Sequence, residues 1–375
     1  SSPDITFFQG LPGVMMVSPT TFSAQNADDN STTFAYDNEV GTGPYKLVSW
    51  ERGRRLDITK FDEYWAGWDQ PHVDGYVLLV VEEPGTRRLM LEAGDIDILP
   101  KLEDQIDDVP ALERNPRLVV ETFPTLSNTY IVMSNHKGPL ADPLVRKAVS
   151  FAFDYDAMIQ VGFGGVGKQA RGPLNSSVLY HDEELFQYTR DVEQAQTLLA
   201  EAGYAPGELQ LSFGYVGSSG VQRRTAEILQ SSLADVGIEL VPLPQTWPTL
   251  VASFQDPDTS PDLLNLNNHS AFPDPDYTLA RFFSSEAQGA AGLNGGFYSN
   301  SEVDALIEEG RATTDPVRRA EIYERIQELM VEDAPAIWNA EMAFMVGHAS
   351  YIKNIQYVPA FSRTLGYLNY IYIEN

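Results

Sequence analysis

The chain has 375 residues, enough for two domains, with 53 acidic against 25 basic side chains and a formal net charge of −28. This charge argues against a nucleic-acid partner, because phosphate contacts need clustered lysine and arginine. Cysteine is absent, which excludes disulfides, a thiol nucleophile and cysteine-bound zinc, and no apolar run is long enough to span a bilayer.

The first third of the sequence predicts strands with one helix between them. Residues 1–38 contain a short apolar piece, LPGVMMVSP, and a polar loop, and residues 39–65 (EVGTGPYKLVSWERGRRLDITKFDEYW) predict a β-hairpin that turns at residues 52–53. The nearly continuous apolar run in HVDGYVLLVVEE predicts a strand that is covered on both faces. EPGTRRLMLEAG predicts a helix ending at Gly94, before the strand DIDIL. This alternation indicates an α/β fold.

The remaining sequence predicts an extended stretch, RLVVETFPTLSNTYIVMSN, and then several helices with apolar residues at helical spacing. Capping residues and prolines indicate where these helices begin. The predicted starts are Asp142–Pro143, Asp191, residue 219, Ser301 and Asp315–Pro316. The helices that start at Asp191 and at residue 219 precede the predicted strands ELQLSFGYV and IELVPLP.

GFGGVG, residues 162–167, matches the glycine pattern of dinucleotide-binding sites. That function requires the glycines to follow a strand and to open a helix. Here they follow a helical pattern and lead into KQARGPLNSS, whose proline disfavours a helix start. We therefore predict a loop with no dinucleotide.

The stretch LLNLNNHSAFPDPDYTLARFF combines a strand, an amide-rich loop and a helix start. Loops that follow strands often carry ligand contacts in α/β folds, so His269 is the histidine most suited to a ligand site. The alternative is a turn whose Asn and Asp side chains only form hydrogen bonds with their own backbone. The five histidines show no metal-ligand spacing. We expect Asp274 and Asp276 to cap the helix after Pro275. Trp247 is a packing residue or a ligand platform.

Taken together, a series of segments resembles the family 5 extracellular solute-binding proteins, the receptors of peptide- and nickel-type ABC importers. The segments that carry the resemblance are GTGPYKLVSW, TRRLMLEAGDIDI, NHKGPLADPLVRKAVSFAFD, AQTLLAEAGY, LADVGIEL, FPDPDY, YSNSEVDAL and RRAEIYERIQELMVEDAPAIW. Each segment is loose, but their order and spacing are specific to the family, and they cover the chain from about residue 10.

The resemblance implies an α/β, two-lobed periplasmic-binding-protein fold of type II, the Venus-flytrap fold, with an incomplete first lobe. Residues 1–126 would be a remnant of lobe I, residues 127–340 lobe II, and residues 341–375 a segment returning to lobe I. The chain would cross between lobes near residues 124–130 and 338–345. The family normally has a longer section before the hairpin, so we expect a truncated chain without its signal peptide.

The function implied is that of a substrate-binding receptor, which captures a solute between two lobes and delivers it to membrane permease subunits without catalysis, cofactor or metal. We expect a monomer in the periplasm or outside the cell, lipid-anchored in its full-length form. A secreted hydrolase using cleft carboxylates is the alternative. The ligand-binding residues implied by position are Trp247, Asn265, Asn267, Asn268, His269, Phe272, Asn294 and Tyr298.

The resemblance also contains a departure that bears on the solute. Peptide-binding members commonly carry an acidic residue in this loop that pairs with the peptide ammonium, and Ala271 stands at that position here. Asn268 stands where many members have tryptophan. A buried ammonium would lack its charged partner. The solute classes therefore left open are peptides, opines and sugar-like molecules.

Overall fold

The computed structural model describes residues 34, 38–39, 41–359, 365–366 and 368–374, so the elements predicted for residues 1–38 lie almost entirely outside the described residues. The described chain separates into two units. Residues 123–344 form the middle unit, and the residues before 123 and after 344 form the flanking unit. These limits fall near the predicted crossings, while the assignment of lobes remains a prediction.

The flanking unit begins with the predicted hairpin. Strands β1 (Tyr45–Glu51) and β2 (Arg55–Lys60) pair antiparallel, and β3 (Gly75–Leu79) adds to β2 in a three-stranded sheet. Helix α1 (Pro84–Ala93) ends at Gly94, whose φ of 84° favours glycine, and this confirms the predicted helix end. Further elements are β4 (Ile98–Pro100), α2 (Val109–Glu113), β11 (Ile352–Lys353), β12 (Gln356–Tyr357), β13 (Leu365–Gly366) and β14 (Tyr372–Ile373).

The prediction that the strand in HVDGYVLLVVEE is covered on both faces is wrong. Val77 is 53% exposed and Leu78 is 57% exposed, although the two side chains point to opposite faces of β3. An apolar sequence allows both faces of a strand to be buried. Burial itself, however, requires that helices or sheets from other parts of the chain pack on each face.

The middle unit is built on a mixed sheet in the order β10, β5, β9, β7, β8, with the short β6 beside β10. Its strands are β5 (Leu118–Met133), β6 (Lys168–Gln169), β7 (Leu209–Val216), β8 (Ile238–Gln245), β9 (Leu263–His269) and β10 (Ala336–Ala349). β9 is antiparallel to β5, whereas β7 is parallel to both β8 and β9. The limit between the two units falls within β5 and within β10.

The predicted helices of the middle unit are confirmed. They are α3 (Pro143–Ala152), α4 (Val192–Glu201), α5 (Gly220–Ala234), α7 (Pro275–Phe282), α8 (Ser301–Ala312) and α9 (Pro316–Asp333). Helix α6 (Trp247–Phe254) also forms, although the sequence analysis did not predict it. The predicted caps form, since the Asp142 carboxylate accepts a hydrogen bond from Leu144 N at 2.8 Å and that of Asp315 accepts one from Val317 N at 2.9 Å. Local capping chemistry therefore determines where these helices start.

The glycine motif forms a loop, as predicted. Gly162 ends a single π-helical turn, Met158–Gly162, and the chain then continues without a helix start to β6. A dinucleotide site would place a helix N-terminus directly after these glycines. The local structure is therefore that of a connecting loop.

Candidate functional site

Three parallel strands bring their carboxyl ends to one edge of the middle unit's sheet. Val216 of β7 pairs with Gln245 of β8, and Gly214 of β7 pairs with Leu264 of β9, so the residues after all three strands emerge on the same side. β5 runs the other way and pairs Ser127 with His269 at this side. We call residues 125–128, 216–219, 245–249 and 267–272 the polar edge.

Trp247 is the first residue of α6 and lies at the polar edge. Thr246 caps the helix, its hydroxyl accepting from Thr249 N at 3.4 Å. Gly214 allows α6 to pack closely, because a Cβ there would lie 2.9 Å from Leu250. The indole remains 46% exposed, and the centre of the Phe254 ring lies 6.4 Å from its own. Trp247 is thus only partly a packing residue.

Three predicted residues alternate along β9 and share one face of the sheet. Asn265 is fully buried and its Nδ2 donates to Thr129 Oγ1 at 2.9 Å, whereas Asn267 and His269 are half-buried nearer the end of the strand. His269 Nδ1 lies 2.9 Å from Ser127 Oγ across the β5–β9 pair. Ser127 was missed in the sequence, because only the strand register places it opposite His269.

Asn268 points to the opposite face and is fully buried. Its Nδ2 donates to Thr278 Oγ1 at 2.7 Å and to Ser270 Oγ at 3.2 Å, which ties the end of β9 to α7. Phe272, half-buried, meets the Tyr277 ring edge-on with ring centres 5.2 Å apart. It also lines a surface cavity of about 470 Å³ between α7 and α8.

Asp274 and Asp276 act as structural residues at the start of α7. Asp274 caps the helix by accepting from Asp276 N at 3.1 Å, as predicted, and it forms a two-pronged ion pair with Arg319 at 2.9 and 3.1 Å. Asp276 pairs with Arg311 at 3.0 Å. Burial lowers the pKa of Arg319, but the hydrogen bond and charge of Asp274 together with Tyr323 and Tyr180 outweigh it, so the pKa is raised.

Asn294 and Tyr298 lie together inside the middle unit, 1% and 3% exposed. Asn294 donates to the carbonyls of Ser284 and Tyr298 at 2.9 and 2.8 Å and accepts from Tyr298 N at 3.0 Å. The Tyr298 hydroxyl donates to Asp333 at 2.7 Å, and burial followed by this bond raises the pKa of the phenol. Both residues brace the loop before α8, and their contact with a ligand stays a prediction.

Two features are absent from the described part of the chain. No three histidine, aspartate or glutamate side chains there come together as a metal-ligand set. No helix there is long and apolar enough to cross a membrane. The groups gathered at the polar edge are amides, hydroxyls, an imidazole and aromatic rings.

Comparison with protein families gives a match to the model described as "Bacterial extracellular solute-binding proteins, family 5 Middle" over residues 2–290. Among curated proteins, the chain is 30% identical over 349 residues to the probable D,D-dipeptide-binding periplasmic protein DdpA of Escherichia coli K12, covering 92% of this chain and 65% of that protein. It is 27% identical over 314 residues to heme-binding protein A of Haemophilus influenzae, covering 83% and 55%. The chain thus spans less than two thirds of the length of these relatives.

Two solved structures illustrate the fold. The periplasmic binding protein DppA of Helicobacter pylori, in complex with the peptide STSA, superposes with a TM-score of 0.85 at 23% identity, over 100% of this chain and 71% of that one. The binding protein AgaA of Agrobacterium tumefaciens R10, in complex with agropinic acid, gives 0.79 at 22% identity, over 100% and 74%. The predicted α/β periplasmic-binding-protein fold of type II is confirmed.

Proposed function

Because the chain belongs to the bacterial extracellular solute-binding proteins of family 5, we propose that it is the substrate-binding receptor of an ABC importer. It captures a small polar solute and delivers it to the permease without changing it chemically. The solute is a peptide, an opine or a sugar-like molecule. We propose that the receptor is a monomer and uses no cofactor. It would act in the periplasm or outside the cell, with a lipid anchor on the full-length form.

The observation that carries this proposal is the convergence of Trp247, Asn267 and His269 at the carboxyl edge of β7, β8 and β9. In open α/β sheets, ligands bind outside the carboxyl ends of the strands. An exposed aromatic ring beside a few polar groups is the usual composition of a small-molecule site. Two related proteins bind the peptide STSA and agropinic acid in their solved structures, which supports a solute of that size.

The hydrolase alternative loses its chemical basis. It needs two carboxylates able to exchange protons with a substrate and water. Asp274 is fully buried in its pair with Arg319, and Asp276 is held by Arg311. Because both carboxylates are held in ion pairs, binding without turnover is the better proposal.

The test is direct binding followed by recovery of the solute. The chain is titrated by calorimetry with di- and tripeptides, agropinic acid and neutral trisaccharides, and the bound molecule is released and weighed by mass spectrometry. We expect one molecule bound per chain and an unchanged mass on release. A product mass would refute the receptor function in favour of an enzyme.

Trp247→Ala provides the site-specific arm. Because the indole is 46% exposed, we expect little change in melting temperature but a dissociation constant raised at least about tenfold for a ligand that stacks on it. Trp65→Ala is the matched control, since Trp65 is 79% exposed and lies in the flanking unit. Equal effects of the two substitutions on affinity would argue against the polar edge as the site.

A further inference from the structure

The polar edge carries no side chain with a formal charge. Its 19 residues, TLSN, VGSS, QTWPT and NNHSAF, include no aspartate, glutamate, lysine or arginine. Charged residues make up 21% of the chain, so roughly four would be expected in a stretch of this size. We infer, on the basis of the proposed function, that the ligand group recognised by this edge is uncharged: a hydroxyl- or amide-bearing group with a flat apolar face.

Two buried acceptors in the strands that lead to the polar edge call for hydrogen-bond donors. Gln245 Oε1, at the end of β8, and Asn265 Oδ1, one alternation below Asn267, are both buried and have no hydrogen-bond partner among the residues that the structure describes. A buried acceptor without a donor costs free energy. Hydroxyl or amide N–H groups of a ligand satisfy such acceptors directly or through a bridging water.

The opposite surface of the ligand group is matched by Trp247. Its exposed indole offers a flat apolar face, two residues along the chain from Gln245 at the end of β8. Sugar rings and peptide units combine such an apolar face with hydroxyl or amide edges. The arrangement of ring and amides therefore fits a neutral polar ligand group better than a salt bridge.

The carboxylates near the polar edge are already engaged. Both oxygens of Glu341 accept from Ser176, at 3.0 Å from the backbone N–H and 2.7 Å from the hydroxyl, and Lys168 lies 3.6 Å away. Asp274 is paired with Arg319. A ligand ammonium placed here would lose its water without gaining a carboxylate of its own, which is costly.

The guanidinium of Arg223 lies near the polar edge, and recognition of a ligand carboxylate by it is the main alternative to a neutral ligand group. Arg223 Nη1 donates to the carbonyl of Gly217 at 3.2 Å, and its side chain is exposed. Gly217 N in turn donates to Gln245 O at 3.0 Å, so this cation is close to the end of β8. Arg223 would recognise a ligand carboxylate. Substitution of Arg223 therefore distinguishes a charged ligand group from a neutral one.

The experiment compares matched neutral and charged probes on the 375-residue chain by calorimetry. The probes are tri-alanine, its capped form acetyl-tri-alanine-amide, and the neutral trisaccharides maltotriose and cellotriose. We expect the capped peptide or a trisaccharide to bind at least about tenfold more tightly than free tri-alanine. Which of the two neutral probes binds distinguishes an amide from a hydroxyl source.

Three further readouts test how the bound probe is recognised. The dissociation constant should change less than about twofold between 50 and 500 mM NaCl, because no charge is neutralised. Trp247→Ala should raise it at least about tenfold, and Arg223→Gln should leave it within about twofold. The same set on Trp65→Ala controls for general effects of losing an exposed tryptophan.

The outcomes separate this inference from the receptor function. Tighter binding of free tri-alanine, or a tenfold loss in Arg223→Gln, overturns the neutral-group inference and leaves the receptor function standing. A preference for the free amine that depends on Trp247 would identify a cation bound over the indole face and also overturn it. Failure of every probe to bind the folded chain refutes both.

Discussion

The buried ion pair between Arg319 of α9 and Asp274 at the start of α7 tests what burial adds to the cost of breaking a charge pair. The two side chains are 1% and 0% exposed and are joined by hydrogen bonds of 2.9 and 3.1 Å. Asp274→Asn keeps the size of the residue and its capping ability but leaves the guanidinium without its counter-charge. Breaking such a pair by removing one partner costs about 3–5 kcal/mol. We expect Asp274→Asn to lower the free energy of unfolding by that amount.

The matched control is Glu309→Gln. Glu309 pairs with Arg318 at 2.8 Å, but these side chains are 45% and 48% exposed, and such surface pairs contribute about 0–1 kcal/mol. Urea unfolding followed by circular dichroism at pH 7 measures both changes. A double variant, Asp274→Asn with Arg319→Gln, should recover part of the loss, since no unpaired charge remains buried. Equal costs for Asp274→Asn and Glu309→Gln would refute the argument that burial makes the difference.

Three other predictions follow from burial and charge. Burial lowers the pKa of His181, so its neutral form stabilises the fold above the ordinary histidine pKa and this contribution is lost as the pH falls below about 6.5. His181→Gln should therefore flatten the change in urea midpoint between pH 7 and pH 5.5, and an unaltered slope would contradict this. Asn294→Ala should cost about 1–3 kcal/mol in urea unfolding, because the buried N–H of Tyr298 loses its acceptor and the carbonyls of Ser284 and Tyr298 each lose one of two donors. A variant of native stability with weakened solute binding would show that Asn294 serves the ligand instead. Raising NaCl from about 0.1 to 1 M should raise the melting temperature by screening a net charge of −28, whereas a falling melting temperature would count against self-repulsion.

Helix starts and the hairpin could be predicted because their signals are local. Asp142, Asp191 and Asp315 each accept a hydrogen bond from a backbone N–H two or three residues ahead. Both partners of each bond are therefore close in sequence. The turn at residues 52–53 is equally short-range, with φ 71° at Gly53. The order of such segments also indicated the family that the comparison identified.

Burial was predicted less well, because it depends on elements that are distant in sequence. The apolar run of β3 indicated cover on both faces, yet Val77 and Leu78 are exposed. The sequence also did not show that Asn294 and Tyr298, whose contact with a ligand stays a prediction, are buried in the middle unit and bonded to each other and to Asp333. The exposure of β3 and the burial of Asn294 and Tyr298 cannot be predicted from neighbouring residues, because both depend on which distant elements pack against them.

The sequence by itself determined the α/β class, the positions of the helices and membership of a solute-binding family, because capping, periodicity and motif order act over short distances. Only the tertiary structure decided which of these segments meet. β8 and β9 are separated in the sheet by β7, and it is the parallel register of these strands that brings Trp247 and His269 to one edge. Strand order and register depend on long-range packing, so the candidate site came into view only when the sheet was assembled.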